Sequence, residues 1–222
     1  MTWILTIHGR VVDLRAVTNG RAKTGLSPQE AAQALAKINR YNGHTTRLYS
    51  VAEHSLHVCQ ILERDLRVTH CETLLAALCH DAHECLIGDM TSPVKQLLAL
   101  RAVQALDADH WHAVEDTVQS MLLAEWGLLE AHHAVRNLIR HGDLVALATE
   151  RRDLMHPGGL PWEVLAGIQP ADWLHLRDGG GMTHDDWAAA WLERYQELRA
   201  GAYEQARRIG RASCRERVCH NV

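Results

Sequence analysis

The sequence lacks several features that would place the chain in a common class of protein. It contains no apolar run of about 18 residues, so we expect no membrane-spanning helix. The net charge is −4, which leaves no overall basic field, so binding to polymeric nucleic acid is not expected. The opening stretch MTWILTIHGR places a His and an Arg where a cleavable signal peptide would have its apolar core.

Two cysteine and histidine motifs are also missing. None of the six cysteines has CxxC spacing, and four lie in apolar helical patterns, so we expect free thiols and a cytoplasmic protein. His83 and Glu84 are adjacent, but the residue three after Glu84 is Ile87, so the HExxH motif of zinc proteases is absent. Phe is absent and Lys is scarce, a bias that is typical of GC-rich genomes and indicates nothing about mechanism.

The length and composition predict a single domain. The chain has 222 residues, of which 47% are hydrophobic and 23% charged, as is typical of a globular domain. We assign residues 1–208 to it. The stretch IGRASCRERV, residues 209–218, resembles the in-frame translation of a sequencing-adapter oligonucleotide. Residues 209–222 are therefore expected to be a non-native tail, with a natural basic tail as the alternative.

Helical patterns dominate the chain after a short β segment. β-Branched and aromatic residues in 2–13 indicate a strand or hairpin. Ser27-Pro28-Gln29-Glu30 and Ser50-Val51-Ala52-Glu53 are capping boxes, which predict helices that run to about Asn39 and Arg64. Further helices are predicted over residues 72–87 (one or two), from Ser92, and over 109–126, 129–155 and 184–208. The fold class is therefore all-α with a small N-terminal β element.

An apolar run, AALCHDAHECLIGDM at residues 76–90, contains ionisable side chains that are costly to bury unless they are paired. These side chains are His80, Asp81, His83, Glu84 and Asp89. In a continuous helix, at about 100° per residue, Glu84 falls between His80 and Asp81. Three ionisable groups on one sector would fit a shared divalent cation. A hydrogen-bonded helix end with a buried His–Asp pair is the alternative.

Two more polar residues lie on apolar helix faces. His54 shares the apolar face of its helix, where a lone His is more often a hydrogen-bonded core residue than a metal ligand. Asp143 lies on the apolar side of a long helix and needs a cation or a donor there. Arg136 and Glu150 lie on roughly the same face, so an Asp143–Arg136 pair explains this aspartate as well as a metal does.

The polar residues form one ordered pattern along the chain. INRY (38–41) and SVAEHS (50–55) are followed by ALCHDAHECLIGDMTSPVK (77–95) and HGDLVALATERRDL (141–154). This set resembles the HD-domain metal-dependent phosphohydrolases, and most of all the bacterial 5′-deoxynucleotidase branch with its pattern H…HDxxE…GDxxxPxK…D. The resemblance covers about residues 36–155, and the ordered set is far more specific than an HD pair alone.

The resemblance implies a metal site with four ligands, namely His54, His80, Asp81 and Asp143. Two His and two carboxylates suit Mn, Co, Fe or Ni, with Mg as a further candidate, better than a closed structural zinc site. The resemblance also implies two catalytic residues. Glu84 would handle a proton, and Asp89 would lie near the sugar or the leaving group.

Other residues are candidates for contacts with the substrate. Arg40 can supply a bidentate fork for phosphate, with an ordinary helix-end cation as the alternative. Tyr41 stands where the relatives usually have Trp, an aromatic that can pack against deoxyribose, and this departure puts sugar selectivity in doubt. Lys95 matches the family pattern, and Arg47 is a weaker candidate for phosphate. His83 is expected to hydrogen-bond a metal ligand.

The resemblance implies an enzyme that removes phosphate from nucleoside 5′-monophosphates, preferably deoxynucleotides. A triphosphohydrolase acting on dNTPs is the first alternative, and a basic cluster such as Arg40, Arg47 and Lys95 would favour it. A catalytically silent nucleotide-binding module is the alternative of another class, against which the complete ligand set and Glu84 argue. A homodimer is a further implication, and no membrane partner is expected.

Overall fold

The computed structural model describes residues 1–105, 109–172 and 181–219, with side chains up to residue 208. Within these ranges the chain is mainly helical, as predicted. A two-stranded antiparallel sheet lies at the start, where β1 (Trp3–Leu5) pairs with β2 (Val11–Asp13) and Ile4 lies opposite Val12. The sequence-based prediction of an all-α fold with a small N-terminal β element is therefore confirmed.

The helices follow one another with short connections. They are α1 (Leu14–Thr18), α2 (Pro28–Leu35), α3 (Val51–Arg64), α4 (Cys71–Leu78), α5 (Glu84–Ile87), α6 (Ser92–Gln104), α7 (His110–Glu125), α8 (Leu129–Leu154) and α9 (His184–Cys219). Two 3₁₀ turns lie at Arg40–Gly43 and Glu163–Leu165. Over the part of the chain that the structure describes, no helix is both long and apolar enough to cross a membrane.

The two predicted capping boxes differ in the structure. Ser27 and Glu30 form the full reciprocal pair at the start of α2. At α3, the Ser50 hydroxyl accepts from the Glu53 N–H at 3.2 Å, but the Glu53 carboxylate turns to Arg47 instead. The second half of that box is therefore replaced by an ion pair.

Helix α2 ends at Leu35 rather than near the predicted Asn39. The chain leaves the helix here because residues 38–40 pair with the segment before α3. The Arg40 N–H donates to the Tyr49 carbonyl at 2.9 Å, and Asn39 and Ser50 form an isolated β-bridge. This pairing carries Arg40 and Tyr41 to the start of α3.

The polar part of residues 76–90 lies where the helix is interrupted. Helix α4 ends, and residues 79–83 form turns before α5 begins. Of the one or two helices predicted over residues 72–87, the structure thus has two, and the angular relation of His80 to Glu84 in a continuous helix does not apply. Gln119 of α7 replaces helical hydrogen bonds that the turn lacks, since its amide donates to the carbonyls of Cys79 and His80 at 2.9 and 2.7 Å.

Helix α3 lies at the centre of the domain and packs against α2, α4, α8 and α9. Almost all of its side chains are buried, including the predicted apolar stripe and several polar residues. The stripe residues are Val51, Val58, Ile61 and Leu62, all fully buried. A polar side chain on this helix is thus carried into the core and must find partners there.

Helix α9 starts as predicted and extends further. Asp186 and Thr183 cap each other, with the Asp186 N–H donating to the Thr183 hydroxyl at 3.2 Å and the Thr183 N–H donating to the Asp186 carboxylate at 2.8 Å. The backbone stays helical to Cys219, beyond the predicted end at 208. Most of residues 209–222 therefore continue this helix, and their assignment as a non-native tail stays a prediction.

Helices α3 and α8 approach closely at Gly142. A Cβ atom at this position would lie 2.1 Å from Leu62 Cδ1 and 3.6 Å from Val58 Cγ1. Leu62 is fully buried, so its side chain cannot move into solvent. The glycine thus permits a helix contact that brings the following residue, Asp143, against α3.

Gly142→Ala is expected to lower the free energy of unfolding by up to about 2 kcal/mol. Overpacking costs about 1–3 kcal/mol, and the better helix propensity of alanine returns roughly 1 kcal/mol. Urea denaturation of the single variant and of Gly142→Ala in a Leu62→Ala background measures this as a double-mutant cycle. The cost should vanish in that background, and an equal cost in both backgrounds would contradict the packing explanation.

Candidate metal centre

Three side chains from separate elements meet at one point. His54 lies in the first turn of α3, His80 in the turn after α4, and Asp143 in the middle of α8. One ligand atom from each lies within 4.8 Å of the others. The His54 Nε2 atom is 3.3 Å from His80 Nε2 and 3.2 Å from the Asp143 carboxylate. The structure therefore brings together three of the four predicted ligands as a possible metal group.

The fourth predicted ligand, Asp81, lies beside this group. Its Oδ2 atom is 3.1 Å from His80 Nε2 and 3.5 Å from His54 Nε2. The same oxygen is 3.6 Å from an Arg40 guanidinium nitrogen. His80, Asp81 and Asp143 thus surround the His54 Nε2 atom. Arg136, the alternative partner of Asp143, is exposed on the surface.

The hydrogen-bond partners of the two Nδ1 atoms decide which nitrogen of each neutral imidazole carries the proton. His54 Nδ1 is 2.6 Å from a Glu150 carboxylate oxygen, and His80 Nδ1 is 2.8 Å from the Ala77 carbonyl. These oxygens can only accept, so both Nδ1 atoms carry a proton. In the neutral rings the two Nε2 lone pairs then face each other across 3.3 Å. Facing lone pairs repel unless a positive charge lies between them, and either a proton on one Nε2 or a shared metal ion supplies that charge.

The electrostatics of the group also favour a positive charge at His54. Burial and the Arg40 guanidinium lower the pKa of His54, but the carboxylates of Glu150 and Asp143 outweigh them and raise it to about 10. Burial raises the pKa of Glu150, yet Arg40 and His54 hold it far below its usual range. Glu150 is therefore ionised, and its charge acts on the His54 ring.

Glu84 and Asp89 are acidic residues in the same pocket. Glu84 is 3% exposed, and its Oε2 atom has no hydrogen-bond partner among the described residues. Burial, together with the charges of Asp81 and Asp89, raises the pKa of Glu84 well above its usual range. Burial likewise raises the pKa of Asp89, partly opposed by Arg40. Glu84 can thus hold a proton near neutral pH.

Arg40 extends between two carboxylates of the site. One guanidinium nitrogen is 3.6 Å from Asp81 and the Nε atom is 3.5 Å from Glu150. Both distances exceed those of a normal hydrogen bond, so the guanidinium is attracted to these groups without being bonded to them. The side chain is only 11% exposed. Arg40 therefore places a desolvated positive charge next to the metal group.

Tyr41 follows Arg40 in a conformation that is unusual for a residue with a side chain. Its φ is 56°, in the left-handed region. The Tyr41 hydroxyl donates to Glu150, and the Arg40 guanidinium lies 5.5 Å from the centre of the Tyr41 ring. The ring centre of Trp162 is 6.1 Å away. The aromatic side chain is thus held in place by its hydroxyl group.

Two predicted substrate cations are paired with glutamates. Arg47 forms a bidentate pair with Glu53, at 2.6 and 2.8 Å. The Lys95 ammonium lies 2.7 Å from Glu115, and it remains close enough to Glu84 for that charge to raise the pKa of Lys95. The structure therefore places Lys95 at the edge of the pocket and Arg47 beside Glu53.

His83 does not contact a metal ligand. Its Nδ1 atom is 3.2 Å from the side-chain oxygen of Gln119, and its Nε2 atom is 3.8 Å from Glu115. The prediction that it hydrogen-bonds a ligand is wrong because the turn directs it toward α7. His132 of α8 had no predicted role, but burial and the nearby His80 lower its pKa to about 4.

Glu150 is the residue of the site that sequence reasoning missed. Its carboxylate is fully buried and accepts hydrogen bonds from His54, Tyr41 and Tyr49. The sequence offered one signal, since Glu150 lies two helical turns after Asp143 on the same face of α8. An acid there needs a partner as much as Asp143 does.

Comparisons with known proteins point in the same direction. Residues 30–133 match a family model described as 5′-deoxynucleotidase YfbR-like. The uncharacterized protein YfdR of Escherichia coli is 29% identical over 147 residues, 66% of this chain and 71% of the relative. An uncharacterized protein of Rhodobacter capsulatus is 37% identical over 107 residues, 47% of this chain and 53% of the relative.

The family range includes most of the site, while Asp143 and Glu150 lie beyond it. Within the range, His54, His80 and Asp81 are the predicted ligands and stand in the order that the HD-domain pattern requires. The predicted resemblance is therefore confirmed, since residues 30–133 match the model of the YfbR-like 5′-deoxynucleotidase family, which is part of the HD-domain superfamily.

Proposed function

We propose that the protein is a metal-dependent phosphohydrolase that removes phosphate from nucleoside 5′-monophosphates, preferably deoxynucleotides. The observation that carries this proposal is the pair of facing imidazole nitrogens, 3.3 Å apart, with two carboxylates around them. The match of residues 30–133 to the YfbR-like family model supports the same class of reaction. The silent binding module fits less well, because a buried acid and a buried arginine lie next to the ligands.

The proposed ligands of the metal are His54, His80, Asp81 and Asp143. Their mixed nitrogen and oxygen donors suit Mn, Co, Fe or Ni, and Mg is a further candidate. When bound, such an ion neutralises charge on a phosphate oxygen and makes water a stronger acid. The protein contributes the placement of its ligands, since helices α3 and α8 and the turn after α4 meet at this point.

Glu84 is proposed as the proton-handling residue. Burial and the neighbouring carboxylates raise its pKa, so the folded protein favours the protonated form of this side chain. It can donate this proton to the leaving 5′ oxygen of the nucleoside or, once ionised, accept one from the attacking water. Asp89 shares the pocket and is proposed to contact the sugar or the leaving group.

Arg40 is proposed to bind the phosphate. Its guanidinium lies within 4 Å of Asp81 and Glu150 but is hydrogen-bonded to neither by distance, so its N–H groups can turn to an anion. Tyr41, held beside it, is proposed to pack against the sugar.

Arg47 and Lys95 are each paired with a glutamate, and this pairing favours a monophosphate substrate over a triphosphate. A triphosphate needs several positive side chains, and Arg47 and Lys95 were the candidates beyond Arg40. Arg47 is paired with Glu53 and Lys95 with Glu115, at 2.6 and 2.7 Å. Binding three phosphates would require breaking these pairs. The dNTP triphosphohydrolase is thus the weaker alternative.

The described cysteines support a reducing environment. Cys59, Cys71, Cys79 and Cys85 are all thiols, two of them fully buried. Thiols in this number are typical of proteins that stay in the cytoplasm, where the proposed substrate is found as a free nucleotide. A homodimer stays a prediction.

A panel of nucleotides tests the proposed function. Ribo- and deoxynucleoside 5′-mono-, di- and triphosphates are incubated with Mn²⁺ or Co²⁺, and released phosphate, pyrophosphate and triphosphate are measured separately. We expect orthophosphate from deoxynucleoside 5′-monophosphates and no turnover with a chelator. Nucleoside 3′-monophosphates serve as matched controls. Release of triphosphate alone would contradict the proposal, and metal-loaded protein that hydrolyses nothing would favour the silent module.

A further inference from the structure

We propose that Glu150 is a positioning residue that couples the metal ligand His54 to the substrate-binding side chains Arg40 and Tyr41. The inference rests on the proposed function and names a residue outside the range that matches the family model.

The carboxylate of Glu150 is completely shielded from solvent and has partners at both oxygens. Oε1 lies 2.6 Å from His54 Nδ1 and 2.9 Å from the Tyr49 hydroxyl. Oε2 accepts the Tyr41 hydroxyl and lies 3.5 Å from Arg40 Nε. A buried carboxylate is tolerated only when hydrogen bonds and opposite charge replace its water, and these four groups provide both.

The two oxygens serve different halves of the site. Oε1 holds the proton on His54 Nδ1, so that Nε2 is the ring nitrogen aimed at the other ligands. Glu150 and the ligand Asp143 are two turns apart on α8, so one rigid helix carries a ligand and the support of another ligand. A change at Glu150 should therefore alter the metal affinity.

The other carboxylate oxygen, Oε2, holds the two residues that are proposed to bind the substrate. Tyr41 and the next residue, Asn42, have φ of 56° and 52°, which residues other than glycine adopt only when their surroundings hold them there. The hydrogen bond from the Tyr41 hydroxyl to Glu150 is such a restraint, and Trp at this position would have no hydroxyl to make it. Arg40 immediately precedes Tyr41 and faces the same oxygen. Loss of this bond should therefore disturb substrate binding without touching the metal ligands.

Two variants separate these roles. Glu150→Gln keeps the size and an acceptor oxygen but removes the charge, and we expect about 10–100-fold weaker Mn²⁺ binding by calorimetry on chelator-treated protein. Tyr41→Phe removes only the hydroxyl, and we expect unchanged Mn²⁺ affinity with a KM for deoxynucleoside monophosphates raised about tenfold and little change in kcat. Tyr49→Phe is the matched control, because it removes a hydrogen bond to Oε1, the oxygen that faces His54, and not one to Oε2. It should therefore leave KM unchanged.

The outcomes are distinguishable from failure of the proposed function. The calorimetric experiment needs no substrate, so it tests the metal half even if no nucleotide is hydrolysed. Unchanged Mn²⁺ affinity in Glu150→Gln would overturn the proposal. If that variant does not fold, Tyr41→Phe still decides, since an unchanged KM, or a loss of Mn²⁺ affinity as large as that expected for Glu150→Gln, would also overturn it.

Discussion

Replacement of Asp81 with asparagine is expected to abolish both metal binding and turnover. Burial raises the pKa of Asp81, but His80, His54 and Arg40 outweigh it and hold the pKa well below its usual range. Its negative charge is therefore present at every working pH, and asparagine removes it while keeping the shape. The proposed cation would contribute several kcal/mol to the stabilisation of the transition state, so turnover should fall on the order of 10³-fold or more.

The metal content of the purified variant and its kcat with a deoxynucleoside monophosphate measure this effect. Asp116→Asn is the matched control, since Asp116 is exposed on α7 and the same chemical change there should leave both quantities unaltered. Circular dichroism checks that each variant is folded. An Asp81→Asn protein that keeps its metal and its turnover would remove Asp81 from the ligand set.

The proposed ligands could be picked out from the sequence because helical periodicity places them on faces that turn toward the core. His54 lies on the buried face of α3, and Asp143 lies on the side of α8 that faces His54, as the helical periodicity indicated. A polar residue on such a face must meet a partner in the core. The family resemblance then identified which of these residues belong together, and the structure brings their side chains to one point.

The argument from helical angles grouped His80, Asp81 and Glu84 together, although residues 80–84 do not form one continuous helix. It assumed one continuous helix, but residues 79–83 form turns that Gln119 holds from α7. No local pattern in residues 76–90 reveals that contact, because its partner lies in another helix. The same limit explains α2, which ends early because residues 38–40 pair with the segment before α3.

Long charged side chains were the hardest to place. Arg47 and Lys95 could each reach a phosphate, yet both are paired with glutamates that no local pattern indicated as their partners. Glu150 lies more than 100 residues from Tyr41 and Tyr49, so its hydrogen bonds depend wholly on the tertiary fold. Such partners depend on how the helices pack against one another, which local patterns in a single sequence do not reveal.

Glu84→Gln is expected to separate proton transfer from metal binding. Glutamine fills the same space but neither donates a carboxylic proton nor accepts one. Loss of a general acid or base typically lowers the rate by about 10²–10⁴-fold, so kcat should fall by that factor. Mn²⁺ affinity, measured by calorimetry, should stay close to that of the parent protein, since Glu84 lies outside the ligand group. A parallel loss of affinity would instead make Glu84 a ligand.

The free energy of unfolding, measured with a chelator present, is expected to depend on pH differently in Glu84→Gln and in the parent protein. Burial with Asp81 and Asp89 raises the pKa of Glu84 above its ordinary value of 4.5, so above that pH the folded protein binds more protons than the unfolded chain. The free energy of unfolding must then fall as the pH rises from about 4.5 through the folded pKa, and glutamine has no such loss. Urea denaturation should find the two proteins differing little near pH 4 and Glu84→Gln increasingly more stable toward about pH 8. A parent protein that gains on the variant over this range would mean that Glu84 is ionised in the folded state, and its role as a proton donor would be lost.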